Sequence, residues 1–130
     1  LGLNGVSMDE LAGYVAQHDA VIVDVRLVPV SSKRELRMEA LARRFGDRYL
    51  WVREWALAAD KSRILDLAEG AKRVSSVWLQ RRVPLLVCEC KTLAECHRLT
   101  LATAAQEQLG VVVKHLGQTE RDAQQEALWT

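Results

Sequence analysis

Three short apolar runs, at residues 20–25, 49–52 and 83–88, are separated by long stretches whose apolar residues recur at helical spacing. That alternation is the strongest constraint on the fold. Strands divided by helices of ten or more residues cannot pair as tight hairpins. They need crossover connections, which produce a parallel sheet covered by helices. The first run, Ala20-Val21-Ile22-Val23, is β-branched and apolar without alternation, as expected of a strand buried on both sides. The chain therefore predicts a single α/β domain with a mainly parallel sheet of about four or five strands and helices on both faces.

The helices have their own punctuation. Ser7, with Glu10 three residues on and Met8, Leu11 and Val15 at helical spacing, predicts a capped helix over residues 7–18. Pro29 breaks the chain, and Ser31 or Ser32 can start a second helix that closes near Gly46. Residues 60–80 read as one long helix through Ile64, Leu65, Leu67, Ala68 and Ala71, with Gly70 a weak point inside it. A further helix over residues 93–109 stops at Gly110, and residues 111–113 make the last strand. The organisation is then an α/β domain over residues 1–116 and a helical tail over residues 117–130, whose Leu128 and Trp129 need somewhere to dock.

Composition narrows the function classes. The chain has 130 residues, 49% apolar and 27% charged, with a net charge of +1. Such a balance gives no global electrostatic reason for a nucleic-acid, polyacid or membrane partner. No apolar stretch approaches the ~20 residues that span a bilayer. The opening Leu1-Gly2-Leu3-Asn4-Gly5 has neither an initiator Met nor a signal-peptide pattern, so a few residues are expected to have been trimmed. Three clustered cysteines do not form a dispersed disulfide framework, which points to free thiols in a reducing cytoplasm.

Chemistry-bearing residues gather in two loops. In a parallel α/β sheet, ligands bind outside the carboxyl ends of the strands. One loop there carries Asp24, Arg26 and Ser31; the other runs through Cys88, Glu89, Cys90, Cys96, His97 and Arg98. Arg26 suits a phosphate, carboxylate or sulfur oxyanion, which its fork binds bidentately. Asp24 can orient Arg26, accept a proton or cap the next segment; an internal Asp–Arg pair that only fixes the loops accounts for the same residues. Cys96, next to His97 and Arg98 at an expected helix start, has the surroundings of a thiolate nucleophile. Cys88 fits either a nucleophile or a packed small hydrophobe. Cys-x-Cys matches neither a zinc knuckle nor a redox pair, so no metal or cofactor is assigned. Lys33, Arg34, Arg37, Arg43, Arg44 and Arg48 alternate with Glu35, Glu39 and Asp47, the pattern of a solvated face more than of a dedicated nucleic-acid stripe. Trp51, Trp55, Trp78 and Trp129 read as core and rim aromatics, and His18 and His115 as surface or strand-end residues.

These loops resemble a known family. Asp24-Val25-Arg26-Leu27-Val28-Pro29-Val30-Ser31 is similar to the Asp-x-Arg-x-x-Pro-x-Ser motif of the family called domain of unknown function 488. Cys88 with Cys96-His97-Arg98 resembles its Cys-x7-Cys-His-Arg motif. Leu1-Gly2 with Gly5, Ser7 and Asp9-Glu10-Leu11 looks like its opening strand, turn and helix, and Tyr49-Leu50-Trp51-Val52 like a later strand. The resemblance spans residues 1–116. Many members carry an acidic residue two positions after the first cysteine, where this chain has Cys90 and places Glu89 one earlier. The segment 53–59 is similarly shorter than the family's loop. Rhodanese-like domains share the Asp-Val-Arg layout after an early strand, without a matching cysteine-to-arginine spacing here.

The resulting expectation is a small cytoplasmic enzyme with a thiol/arginine site that acts on an anionic, phosphate- or nucleotide-like ligand. Arg26, Arg98, Ser31 and Glu89 would hold the ligand; Cys88 or Cys96 would react, with Asp24 and His97 as orienting or acid–base groups. The alternatives are a non-catalytic nucleotide or nucleic-acid binding module using the same groups, and a scaffold or dimerisation domain in which the cysteines pack.

Overall fold

The structure is a computed structural model that describes residues 1, 3, 6–29, 33–58, 63–88 and 97–110, with the backbone alone at 97–100 and 109. In chain order it contains α1 (Met8–His18), β1 (Ala20–Asp24), α2 (Met38–Phe45), β2 (Tyr49–Trp51), α3 (Leu67–Leu79), β3 (Val83–Val87) and α4 (His97–Leu109). Single 3-10 turns occupy Arg34–Leu36, Gly46–Arg48 and Arg53–Trp55. The fold is α/β with a three-stranded parallel sheet in the order β2-β1-β3. Among the described residues no helix is long and apolar enough to cross a membrane.

β1 is the centre of the sheet, and each of its residues is buried. Its alternate side chains join two apolar clusters. Ala20 and Ile22 pack with Leu11 and Val15 of α1, Leu41 of α2, and Leu85 and Val87 of β3. Val21 and Val23 pack with Val74 and Val77 of α3, Leu101 of α4, Trp55 and Cys88. A strand with apolar neighbours on both sides has no use for alternation, which is why its sequence is a continuous run.

β3 shows how the sheet treats its edges. The Val83 amide donates to Asp19 O and the Val25 amide to Val87 O, so residues 83, 85 and 87 direct their backbone groups toward β1. Pro84, which lacks an amide proton, then faces away from β1, where a strand tolerates it. Farther along the same outer side, Leu1 N donates to Leu86 O at 2.7 Å, Cys88 N to Leu1 O at 3.1 Å and Leu3 N to Cys88 O at 2.6 Å. The chain start thus extends the hydrogen bonding beyond β3.

Helix α1 begins as its sequence predicts: the Glu10 amide donates to Ser7 Oγ at 3.1 Å and the Ser7 amide to Glu10 Oε1 at 3.4 Å. Two other helices are shorter than their patterns. α2 begins at Met38, because residues 34–36 form a 3-10 turn and the Met38 amide donates to Pro29 O. α3 begins at Leu67 instead of residue 60. Ile64 bridges Leu57 in an antiparallel pair, and Asp66 Oδ1 accepts the Glu69 amide at 3.1 Å as an N-cap. The expected strand at 111–113 and the tail at 117–130 lie outside the described residues.

Gly70 is explained by packing. A Cβ at this position would overlap the indole of buried Trp55, which donates from Nε1 to Leu67 O at 2.9 Å. Gly70→Ala gains helix propensity of about 1 kcal/mol, but forcing a ring out of a close-packed cluster costs about 1–3 kcal/mol. The expected outcome is a lower Tm than the parent in thermal unfolding; a higher Tm would show that the ring moves freely.

Candidate functional site

The strand order creates the site. The strand order reverses at β1: the chain passes from it to β2 on one side and later to β3 on the other. That reversal is where parallel α/β sheets open a ligand crevice. The two loops singled out by sequence follow these two neighbouring strands. They are held together at their start, where Asp24 is in register with Val87 and the Val25 amide donates to Val87 O at 3.1 Å.

On the β1 side, alternation sends Asp24 and Arg26 one way and Val25 the other, into the cluster that holds Cys88. Asp24 is wholly buried and Arg26 is 6% exposed. Arg26 Nε donates to Asp24 Oδ1 at 2.8 Å, and Nη2 donates to Oδ2 at 2.7 Å. The Arg26 amide adds a third contact to Oδ1 at 3.2 Å. From β2, the Tyr49 hydroxyl donates to Asp24 Oδ2 at 2.6 Å, and Trp51 Nε1 donates to the Arg26 carbonyl at 2.8 Å. Buried charges are stable only with good geometry and further hydrogen bonds, and this pair has both. Burial, followed by the hydrogen bond to Asp24 and its negative charge, pushes the Tyr49 phenol far above its ordinary value, with Arg26 opposing in part. Tyr49 is therefore a proton donor to Asp24 throughout the neutral range.

Chemically, this arrangement fixes one guanidinium. Both oxygens of Asp24 are engaged, so the carboxylate acts as an orienting group for Arg26. Cys88 directly follows β3, is 1% exposed and packs with Val21, Val23 and Leu101, in the apolar cluster to which alternation does not direct Asp24. The structure thus unites Asp24 with Arg26 and places the Cys88 side chain in a separate cluster. His97 and Arg98 open α4. Their side chains, together with Ser31, Glu89, Cys90 and Cys96, lie outside the described residues. Among the described residues no group of three His, Cys, Asp or Glu side chains is arranged to hold a metal.

Tyr49 and Trp51 are the site residues that the sequence reading passed over as strand aromatics. A signal was present. Both are aromatic side chains with a polar tip, two apart on a strand next to Asp24, and such tips find a partner when buried.

Two variants test this geometry. Tyr49→Phe removes a hydrogen bond to a charged acceptor and should cost about 1.5–3 kcal/mol in denaturant unfolding. Asp24→Asn leaves a buried guanidinium without its counterion and should cost about 3–5 kcal/mol. The Tyr49 contribution also has a pH signature. The folded protein keeps the Tyr49 proton where the unfolded chain releases it, so the stabilisation is complete below about pH 10 and declines as pH rises beyond it. At about pH 10, where an ordinary tyrosine is half ionised, native parent and Tyr49→Phe should show the same phenolate absorbance. A smaller signal in the variant would mean that Tyr49 ionises in the native state.

No protein-family model matches this chain, and no curated protein or solved structure matches it.

Proposed function

We propose that the carboxyl edge between β1 and β3 is a thiol/arginine enzyme site for a small anionic ligand, phosphate- or nucleotide-like. The observation that carries this reading is the placement of the clamped Asp24–Arg26 pair at the reversal of strand order, beside the strand that leads into the cysteine loop. A guanidinium oriented in advance loses little freedom on meeting an oxyanion. In this reading Arg26 and Arg98 attract the anion, Ser31 and Glu89 contact the rest of the ligand, and Asp24 with Tyr49 positions Arg26. Cys96, with His97 and Arg98 as sequence neighbours, fits a thiolate nucleophile better than Cys88, which is packed among aliphatic side chains. His97 is the acid–base group. The described strands would form the centre of a four- or five-stranded sheet with helices on both faces, in a cytoplasmic, diverged relative of the domain of unknown function 488 family.

One observation favours a second reading. Asp24, Arg26, Tyr49 and Trp51 bond one another so completely that the cluster also works as a latch between β1 and β2, which is what a non-catalytic binding or dimerisation domain would need.

Alkylation of each cysteine, followed by mass spectrometry across pH, separates the two. The enzyme reading expects Cys96 to react with an apparent pKa well below the ~8.5 of a free thiol, and to be protected by phosphate or a nucleotide. Arg98→Gln should weaken that protection at least tenfold, on the order of the 1.4 kcal/mol that a tenfold change represents. Slow alkylation at all three cysteines, with no anion effect, would leave the latch as the function of the cluster.

A further inference from the structure

The loop that leaves β1 is tied down by a side chain at the point where strand pairing ends. The Val52 amide donates to Asp24 O at 2.9 Å, and there β2 turns away into the 3-10 turn Arg53–Trp55, where the Trp55 amide donates to Val52 O. The backbone of β2 therefore does not accompany Arg26. The Trp51 side chain does. In register opposite Asp24, it reaches past that residue, and its Nε1 donates to the Arg26 carbonyl at 2.8 Å. Farther along the loop, the Pro29 carbonyl accepts the Met38 amide at 3.2 Å, at the start of α2. The carbonyls at both ends of the segment 26–29 are thus bonded, and that segment runs on toward Ser31.

Tyr49 and Trp51, two apart on β2, have different tasks. Tyr49 bonds the Asp24 carboxylate and so acts on the Arg26 guanidinium. Trp51 bonds main chain and so acts on the path of the loop. Trp51 is half-buried, so water can take over the bond to the Arg26 carbonyl when the indole N–H is removed. Water cannot tie that carbonyl to β2. Val28, at the middle of the segment, is 65% exposed and gives it no apolar anchor, so the segment is held on either side, at Arg26 and at buried Pro29.

We propose that Trp51 is a positioning residue for this loop: its indole N–H fixes the segment 26–29, so that Arg26 and Ser31 are presented to the anion together. A loop held in its binding conformation loses less freedom when the ligand arrives, and the affinity rises accordingly. Trp51 acts through the main chain of Arg26 and touches no reacting atom. This role rests on the carboxyl edge being an anion site, and it adds the group that sets the course of the loop there.

The test combines fluorine NMR with cysteine alkylation on the full chain, using inorganic phosphate and adenosine monophosphate as probes. In protein labelled with fluorotryptophan, the Trp51 resonance is assigned by elimination from Trp55→Phe, Trp78→Phe and Trp129→Phe. It should shift as a probe is added, with the same half-saturation as the protection of Cys96. Trp51→Phe keeps an aromatic ring without the N–H, and should raise the half-protecting concentration about fivefold, the size of one hydrogen bond. Trp78→Phe makes the same substitution on α3, against Trp55, and should leave that concentration within about twofold. Unchanged protection in Trp51→Phe, a fixed Trp51 resonance, or equal loss in Trp78→Phe would overturn the role of Trp51 while the anion site stands. A Trp51 shift without protection of Cys96 would uphold that role and remove the thiol from the site. Neither shift nor protection in the parent would overturn both.

Discussion

A buried ion pair at the end of the central strand governs the arrangement of everything around it. Asp24 and Arg26 are both removed from water, and neither charge would be stable there alone. The bidentate geometry, the Arg26 amide and the Tyr49 hydroxyl satisfy the carboxylate, while the Trp51 indole satisfies the Arg26 carbonyl. Because two of those donors come from β2, the pair fixes the exit of β1 against the neighbouring strand. Because Val25 lies between its members and bonds to Val87, it fixes the same exit against β3. One polar cluster therefore ties together the carboxyl ends of all three strands.

The two edges of the sheet are built by different physics. At the carboxyl edge, charge is buried and paired, which holds the Arg26 guanidinium in one orientation. At the amino edge, charge reaches solvent, and Arg48 and Arg82 are paired with Asp19 and Asp47 at the surface. The turns there are tight enough to need left-handed residues, and Asp19 and Arg81 take that conformation in place of glycine. Their backbones close the ends of α1 and α3, and the Asp19 side chain meets Arg48.

The sequence was legible where local signals and burial agree. β1 could be read from its unbroken apolar run, and α1 from the reciprocal bonds available to Ser7 and Glu10. It was misleading where a residue pattern served another purpose. Ile64 and Leu65 continue the helical spacing of α3, yet Ile64 is used in a bridge to Leu57 and the Leu65 amide bonds to Ala56 O. Gly70 looked like a flaw in a helix, whereas it is the gap that admits Trp55. Within the site, Asp24 and Arg26 could be paired on paper because they are two apart on a strand. Tyr49 showed only a polar tip in need of a partner; the parallel register, with Tyr49 opposite Ile22 and Trp51 opposite Asp24, makes Asp24 that partner.

By itself, the sequence determined the alternation of strands and helices, the capped start of α1, and the concentration of reactive side chains after β1 and β3. These follow from periodicity and local hydrogen bonding, which act over a few residues. The tertiary structure decided the strand order, the apolar cluster that received Cys88, and the partners of each charge. Those outcomes depend on which distant strands lie side by side. The same arginines that read as a solvated helix face became part of an edge cluster only when β3 came to lie on the far side of β1 from β2, so that Arg82 could meet Asp47 across it.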